Sequence, residues 1–319
     1  MLGRKYVLSL LLLGVLGCVS YEQYARGDAR DVMIVFDGTL REARFLRDVL
    51  QDTFYTPHAE PLFNIYPLQV EQFQSYRNYK NVILLATYGS RSYELFQEAF
   101  GEKGSGMYKG KNIFADGDFV IGILASDEYN LLDFLNIHKE EIKNLLLERV
   151  NELYSVKTYF AGHNKKMKKE FGEKYGFTFD FPNGWAYAIE DTNFVCIAKH
   201  YPDRFMSVYF EDFERPLGEE DLIALRDSLG KKYFEGDRVE KSFTRASRIP
   251  FKGVLATRVY GVWQNDSLIR GGPFEMIAFN MNGRFYLIDM GVYAPEKLRK
   301  LEYLMRMELI ARTFEIVNP

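Results

Sequence analysis

The chain has 319 residues, with 41 Lys and Arg against 44 Asp and Glu, and a formal net charge of −3 at pH 7. Nucleic-acid binding requires a basic excess, so this balance excludes nucleic acid as a partner. Apolar residues make up 47% and charged residues 27%, as in ordinary folded proteins, and the length favours two compact units. The aromatic content of 16% favours strands, because aromatic side chains bury large areas on a pleated surface.

The N-terminus predicts an export signal. Arg4 and Lys5 precede an apolar run over residues 6–16, which leads into the sequence VLGC ending at Cys18. A membrane-spanning helix needs about 20 apolar residues and a secretory signal only about 7 to 15, so the run favours secretion. The aliphatic residue three positions before the cysteine and the small residue directly before it resemble the bacterial lipobox.

The lipobox resemblance implies a lipoprotein in which residues 1–17 are the signal peptide and Cys18 carries a diacylglyceryl group, usually with a further acyl chain on the new amino terminus. Two or three acyl chains anchor a protein stably where one does not. The membrane is therefore a predicted partner, reached through Cys18, and residues 18–30 form a short polar tether. Val19 is not the aspartate that retains some lipoproteins at the inner membrane, which predicts the outer membrane, facing the periplasm. The alternative is an ordinary secreted protein with a chance cysteine.

Residues 31–172 alternate strands with helices, which predicts an α/β domain with some parallel pairing. Each buried-strand run is followed by a helical pattern; the runs cover residues 32–36, 82–87 and 119–125. A further helix, from Lys139 to about Phe171, has an apolar face that includes Val156 and Phe160.

Residues 173–319 change to short strands separated by Pro, Gly and Asn, which predicts an α+β domain with an antiparallel sheet. The predicted strands cover 177–181, 185–190, 194–200, 206–213, 254–264, 274–280 and 284–293. Two helices are expected to pack on this sheet, one over 219–234 and one over 295–315 that Pro295 opens. The strand openings FTFDFP, from Phe177, and NGRFY, from Asn282, resemble the PsbP/Mog1-like sandwich.

Several short motifs resemble an uncharacterised family of bacterial envelope lipoproteins, a domain of unknown function. They are GGPF at 271–274, VYAP at 292–295, GVW at 261–263, EPLF at 60–63 and KNV at 80–82. The chain departs from the family at Arg270, where Met tends to precede GGPF. The resemblance implies no catalytic residue.

The motifs near the C-terminus form a candidate binding surface. Its residues are Trp263, Arg270, Gly271, Gly272, Pro273, Phe274 and Tyr293. On a structural interpretation, the two glycines allow positive φ in a turn that the following proline feeds into a strand. On a functional interpretation, the glycines let a partner or ligand approach the backbone, with Trp263 and Tyr293 as amphipathic anchors.

Catalytic and metal-binding signatures are not found in the sequence. The four histidines (His58, His138, His163 and His200) do not have metal-site spacing, and there is no CxxC, GxSxG, P-loop or GxGxxG behind a strand. Cys196 lies in an apolar run, so we interpret it as a small buried residue rather than a nucleophile. No catalytic residue, metal or cofactor is therefore predicted.

The leading hypothesis is a lipid-anchored binding or assembly factor for an envelope protein or glycan, without catalysis. One alternative is an envelope hydrolase whose carboxylates are distant in sequence, and another is a carrier of an apolar ligand. Two facing carboxylates in a cleft would favour the hydrolase, and a closed apolar cavity the carrier.

Asp266-Ser267-Leu268 resembles a sequon for periplasmic O-glycosylation and predicts an exposed loop modified at Ser267. Asp227-Ser228-Leu229 matches the same pattern within a predicted helix.

Overall fold

A computed structural model of the protein describes residues 24–317. The predicted signal peptide and Cys18 lie outside the described residues. The helices are α1 (Arg41–Leu50), α2 (Arg91–Phe100), α3 (Glu128–Thr158), α4 (Lys165–Tyr175), α5 (Glu219–Tyr233) and α6 (Leu301–Ala311). The strands are β1 (Asp31–Phe36), β2 (Thr53–Tyr55), β3 (Ala59–Pro61), β4 (Asn64–Gln69), β5 (Asn81–Thr87), β6 (Gly106–Lys111), β7 (Phe119–Ala125), β8 (Phe177–Thr178), β9 (Ala186–Asp191), β10 (Phe194–Lys199), β11 (Asp203–Glu211), β12 (Arg238–Phe251), β13 (Val254–Asn265), β14 (Arg270–Met281), β15 (Arg284–Tyr293) and β16 (Glu315–Ile316). Among these residues, no helix is long and apolar enough to cross a membrane.

The first sheet has five strands in the order β4-β1-β5-β7-β6 and confirms the α/β prediction. Strand β1 pairs in parallel with β4 and β5, β5 pairs in parallel with β7, and only the edge strand β6 is antiparallel. Alternate residues of β1 point to opposite faces: Ile34 packs with α1 and α3, whereas Val35 packs with α2. Helices therefore cover both faces, as a parallel sheet requires.

The second sheet has seven antiparallel strands in the order β12-β13-β14-β15-β11-β10-β9 and confirms the α+β prediction. One face packs against α4 and α6, and the other against α5. Strand β12, which the sequence patterns did not indicate, is an edge strand whose residues are mostly exposed. It is a strand because its backbone pairs with β13, since its own sequence has no apolar pattern.

Two predicted helices have different limits in the structure. The helix expected to reach Phe171 divides after Thr158, and Val156 and Phe160, expected on its buried face, are 68% and 88% exposed. Helix α4 packs Met167 and Phe171 into the core beneath the second sheet. The predicted domain boundary at 172 lies within this helix. The last helix begins at Leu301 rather than at Pro295, since residues 294–300 are not helical.

Helix α6 packs against both sheets. Its Leu301 and Met305 lie in the core of the first sheet, and Leu304 and Met307 lie in the core of the second. Glu60, from the EPLF motif, accepts a hydrogen bond from the Leu301 backbone N–H at 3.3 Å. A carboxylate is favourable at a helix N-terminus, so Glu60 fastens the start of α6 to β3, which pairs with β2 in a separate two-stranded sheet.

A buried ion pair joins α5 to the second sheet. Arg226 Nε lies 3.0 Å from Asp289 Oδ1, and both side chains are buried. The guanidinium also lies over the Phe274 ring, 4.1 Å from its centroid. Burial raises the pKa of Asp289, and the neighbouring Arg226 acts in the opposite direction.

Removing one partner of this pair is expected to be costly. Arg226→Met leaves Asp289 buried without its cation and should lower the free energy of unfolding by about 3 to 5 kcal/mol. The double variant Arg226→Met/Asp289→Leu should recover most of the loss, because apolar replacements of buried pairs are often neutral. Urea unfolding followed by circular dichroism measures both. A single variant as stable as the unaltered protein would contradict the expectation.

Candidate functional site

The best-placed crevice lies at the carboxyl end of the first sheet. The chain runs from β1 to β4 on one side and then returns to β5 on the other side of β1, which makes a topological switch point. Ligands of open α/β sheets bind at such points, because the loops diverge and leave a gap. We call this gap the switch-point crevice. It has a volume of about 140 Å³ and is lined by Phe36, Asp37, Gly38, Glu42, Leu85, Thr87, Ser90, Ser92, Glu128 and Leu131.

Three helices begin at the switch-point crevice, and each supplies one of its polar side chains. Glu42 comes from α1, Ser92 from α2 and Glu128 from α3. Gly38 lies in the turn after β1 with φ of +84°, a conformation that glycine adopts without steric cost. A Cβ on Gly38 would lie 3.7 Å from Glu128 Oε1, which brings the β1 turn close to the start of α3.

Two of the polar groups are held by neighbouring residues. Asp37 accepts hydrogen bonds from the Arg91 backbone N–H at 2.8 Å and from its guanidinium at 3.3 Å. Ser90 caps α2 by accepting from the Tyr93 N–H at 3.2 Å, and its hydroxyl donates to the Thr87 carbonyl at 2.7 Å. These bonds position the rim of the crevice.

Glu42 is the exception. Glu42 is only 4% exposed, and one of its carboxylate oxygens, Oε2, accepts a hydrogen bond from the Thr39 hydroxyl at 3.3 Å. The other oxygen, Oε1, is buried and has no hydrogen-bond partner among residues 24–317. A buried carboxylate oxygen without a donor is costly, so a donor supplied by a ligand would stabilise it.

The chemistry of the crevice favours a hydrogen-bond donor as ligand. Carboxylates and hydroxyls line it, and its volume of about 140 Å³ is below the usual range for drug-sized ligands. Within the described part of the chain, no group of three or more His, Cys, Asp or Glu is placed to hold a metal ion. The arrangement therefore suits an ammonium or hydroxyl group of a small polar ligand better than an apolar molecule.

The predicted binding surface comes together at one end of the second sheet, but Trp263, one of its two predicted anchors, is buried. Trp263 is 2% exposed and Phe274 is fully buried, both in the core beneath α5. Trp263, interpreted from the sequence as a surface anchor, is therefore a core residue. Tyr293 is half-buried and lies beside Trp263, with ring centroids 6.4 Å apart. Pro273 is also buried.

The two glycines of the GGPF motif serve close packing rather than a turn. Neither Gly271 nor Gly272 has positive φ, and both lie inside β14, paired with β13. A Cβ on Gly272 would lie 1.8 Å from the Val292 carbonyl oxygen, and one on Gly271 2.8 Å from the Trp263 carbonyl oxygen. The explanation from positive φ is wrong; backbone approach within the sheet explains both residues.

The remaining predicted residues lie at the surface or in the core. Arg270 forms ion pairs with Glu235 at 3.3 Å and Asp237 at 3.4 Å, so its guanidinium is neutralised within the chain. Ser267 is exposed in the loop between β13 and β14, as predicted, whereas Ser228 lies in α5. Cys196 is buried in the core, and burial raises the pKa of its thiol, which agrees with its interpretation as a small apolar residue.

The residues of the switch-point crevice were not singled out from the sequence. A usable signal was present, because three parallel strands of the first sheet are each followed by three mostly polar residues: DGT after β1, YGS after β5 and SDE after β7. The carboxyl ends of parallel strands meet at one edge, so such tripeptides lie close together.

Comparison with protein families gives one match. Residues 164–313 match the family described as Domain of unknown function (DUF4837). The matched range contains α4, the second sheet, α5 and α6, and it does not include the switch-point crevice. No curated protein matches the chain.

Solved structures show weak similarity. A Bacteroides thetaiotaomicron VPI-5482 protein matches with 10% identity and a TM-score of 0.29, over 45% of this chain and 46% of that chain, so the match spans about half of that protein. The Saccharomyces cerevisiae Ran-binding protein Mog1p matches with 10% identity and a TM-score of 0.33, over 45% and 91%. Cyanobacterial PsbP (CyanoP) from Synechocystis sp. PCC 6803 matches with 13% identity and a TM-score of 0.30, over 44% and 86%. Residues 164–313 thus match an uncharacterised domain, and the similarity to the PsbP and Mog1 folds is weak.

Proposed function

We propose that the protein is an envelope lipoprotein that binds, without catalysis, an amino sugar of an envelope glycan in the switch-point crevice. The anchor is the lipid on Cys18, at the outer membrane and facing the periplasm. One observation carries the binding proposal: Glu42 lines the crevice, and its Oε1 is buried and has no donor within the described chain. An ammonium group would supply that donor as a charge-assisted hydrogen bond, while the hydroxyls of Thr87, Ser90 and Ser92 suit the sugar hydroxyls.

Titration with glucosamine tests this proposal. The full-length protein in detergent should bind glucosamine, measured by isothermal titration calorimetry, and should bind N-acetylglucosamine more weakly because the amide carries no charge. Glu42→Gln should weaken glucosamine binding by about tenfold or more, since a hydrogen bond to a charged group contributes about 1.5 to 3 kcal/mol.

A matched control is available on α2. Glu94 is exposed in the first turn of that helix and does not line the crevice, so Glu94→Gln should bind glucosamine like the unaltered protein. Equal weakening in both variants would point to a nonspecific charge effect, and no binding to the unaltered protein would overturn the amino-sugar proposal.

A hydrolase is the second candidate, favoured by carboxylates that come from distant parts of the chain. Asp37, Glu42 and Glu128 all line the same crevice. Glycosidases use two carboxylates that flank the scissile bond. Incubation with a glucosamine disaccharide, followed by mass spectrometry, distinguishes the two functions: release of the monosaccharide supports the hydrolase, and binding without release supports the leading proposal.

A further inference from the structure

Two cations face each other across neighbouring strands of the second sheet. Lys199 of β10 pairs directly with Arg204 of β11. Side chains at such positions start from Cβ atoms about 4.5 to 5.5 Å apart, and like charges there repel. An unscreened pair of this kind is unfavourable unless something supplies negative charge.

Arg204 is buried without a carboxylate partner. It is only 8% exposed, and its guanidinium lies near the rings of Trp185 and Tyr303, at 5.9 and 5.5 Å from their centroids. Its Nε donates to the Pro202 carbonyl at 3.2 Å, which leaves its two terminal nitrogens without a partner in residues 24–317. These terminal nitrogens are not fully buried and therefore remain accessible to a ligand, and they form the edge of the guanidinium that binds oxyanions.

The surrounding charges leave this pair unneutralised. Lys199 donates to the Asn183 carbonyl at 3.1 Å, and neither cation has a carboxylate within 4.0 Å in the described structure. Glu302 on α6 already pairs with Arg306, at 3.4 Å, and with Lys157. Burial lowers the pKa of Lys199, as do Arg204 and Arg306, which agrees with a site that has excess positive charge.

We propose that Lys199 and Arg204 bind a phosphate group at the turn between β10 and β11, beside α6. Two unpaired positive charges match a phosphate monoester or inorganic phosphate, which carries about −1.5 to −2 at pH 7. The guanidinium supplies a planar pair of N–H donors and the lysine a point charge, the usual combination for phosphate. This site is separate from the switch-point crevice, so its test is independent of the function proposed above.

Calorimetric titration of the full-length protein in detergent tests the site. Inorganic phosphate and glycerol 3-phosphate serve as probes, because the first represents free phosphate and the second the phosphorylated part of a lipid headgroup. Tighter binding of glycerol 3-phosphate identifies a headgroup as the source, and tighter binding of inorganic phosphate identifies free phosphate. Binding of neither probe overturns the proposal.

Variants of Lys199 and Arg204 show whether the measured heat of phosphate binding comes from this site. Arg204→Met and Lys199→Met should each weaken phosphate binding by about tenfold or more. Lys166 is exposed on α4 and pairs with Glu170, so Lys166→Met is a matched control that should bind normally. Because Arg204 is buried and its variant can lose stability, Lys199→Met is the decisive variant. Undiminished binding by a folded Lys199→Met protein overturns the proposal.

Discussion

Replacing residues 1–18 with a cleavable secretory signal is expected to move the protein from the membrane fraction to the soluble fraction. No helix in residues 24–317 can span a bilayer, and the helix faces that could lie on one are mostly in the two cores. Residues 24–30, predicted as part of a tether, instead contact the folded chain through the bridges Tyr24 to Asp116 and Arg26 to Tyr79. Acyl chains contribute about 0.8 kcal/mol for each buried CH₂, so two or more chains would outweigh the few charges of residues 18–30. Sedimentation of membranes after a high-salt wash measures the change.

Cys18→Ser is the point-substitution form of the same experiment. It should stop acylation and the lipoprotein-specific cut, which leaves either an uncleaved precursor or a soluble product. Mass spectrometry distinguishes the acylated protein from both. If the protein with the replaced signal still sediments with membranes, a second membrane-binding element exists, and the exposed Val156 and Phe160 would be the first side chains to change.

Gly272→Ala is expected to destabilise the second sheet strongly. The new Cβ would lie 1.8 Å from the Val292 carbonyl oxygen and 3.2 Å from Trp263 Nε1. The first contact is with backbone, so the strands themselves must separate, and the Trp263 ring beside them is fully packed. Overpacking of this kind costs about 3 kcal/mol. Urea unfolding of the variant, followed by tryptophan fluorescence, measures the loss.

Gly104→Ala is the matched control for that substitution. Gly104 lies in an exposed loop and does not have positive φ, and a Cβ added to it would meet no other atom within 4 Å. The same chemical change there should alter the free energy of unfolding by less than about 1 kcal/mol, because only the unfolded chain is affected. Equal effects at both positions would show that close packing does not explain the GGPF glycines.

Much of the fold was predictable because its signals are local. Strands β1, β5 and β7 are continuous apolar runs, and α5 has helical spacing, so a window of about 5 to 15 residues carries the information. The edge strands β6 and β12 escaped prediction because few of their residues are buried, so their pairing partners, rather than their own pattern, define them. Helix α6 began later than expected, at Leu301, where Glu60 caps it from 241 residues away.

Residue types within short segments were enough to predict the fold class of each half and the burial of Cys196. Which residues meet depends instead on the tertiary structure. Parallel pairing of β1 and β5 brings Glu42, Ser90 and Glu128 to one crevice, and strand pairing sets Lys199 against Arg204. Tertiary packing also makes Trp263 a core residue rather than a surface one, because burial depends on what the rest of the chain packs against a side chain, and no local pattern records that.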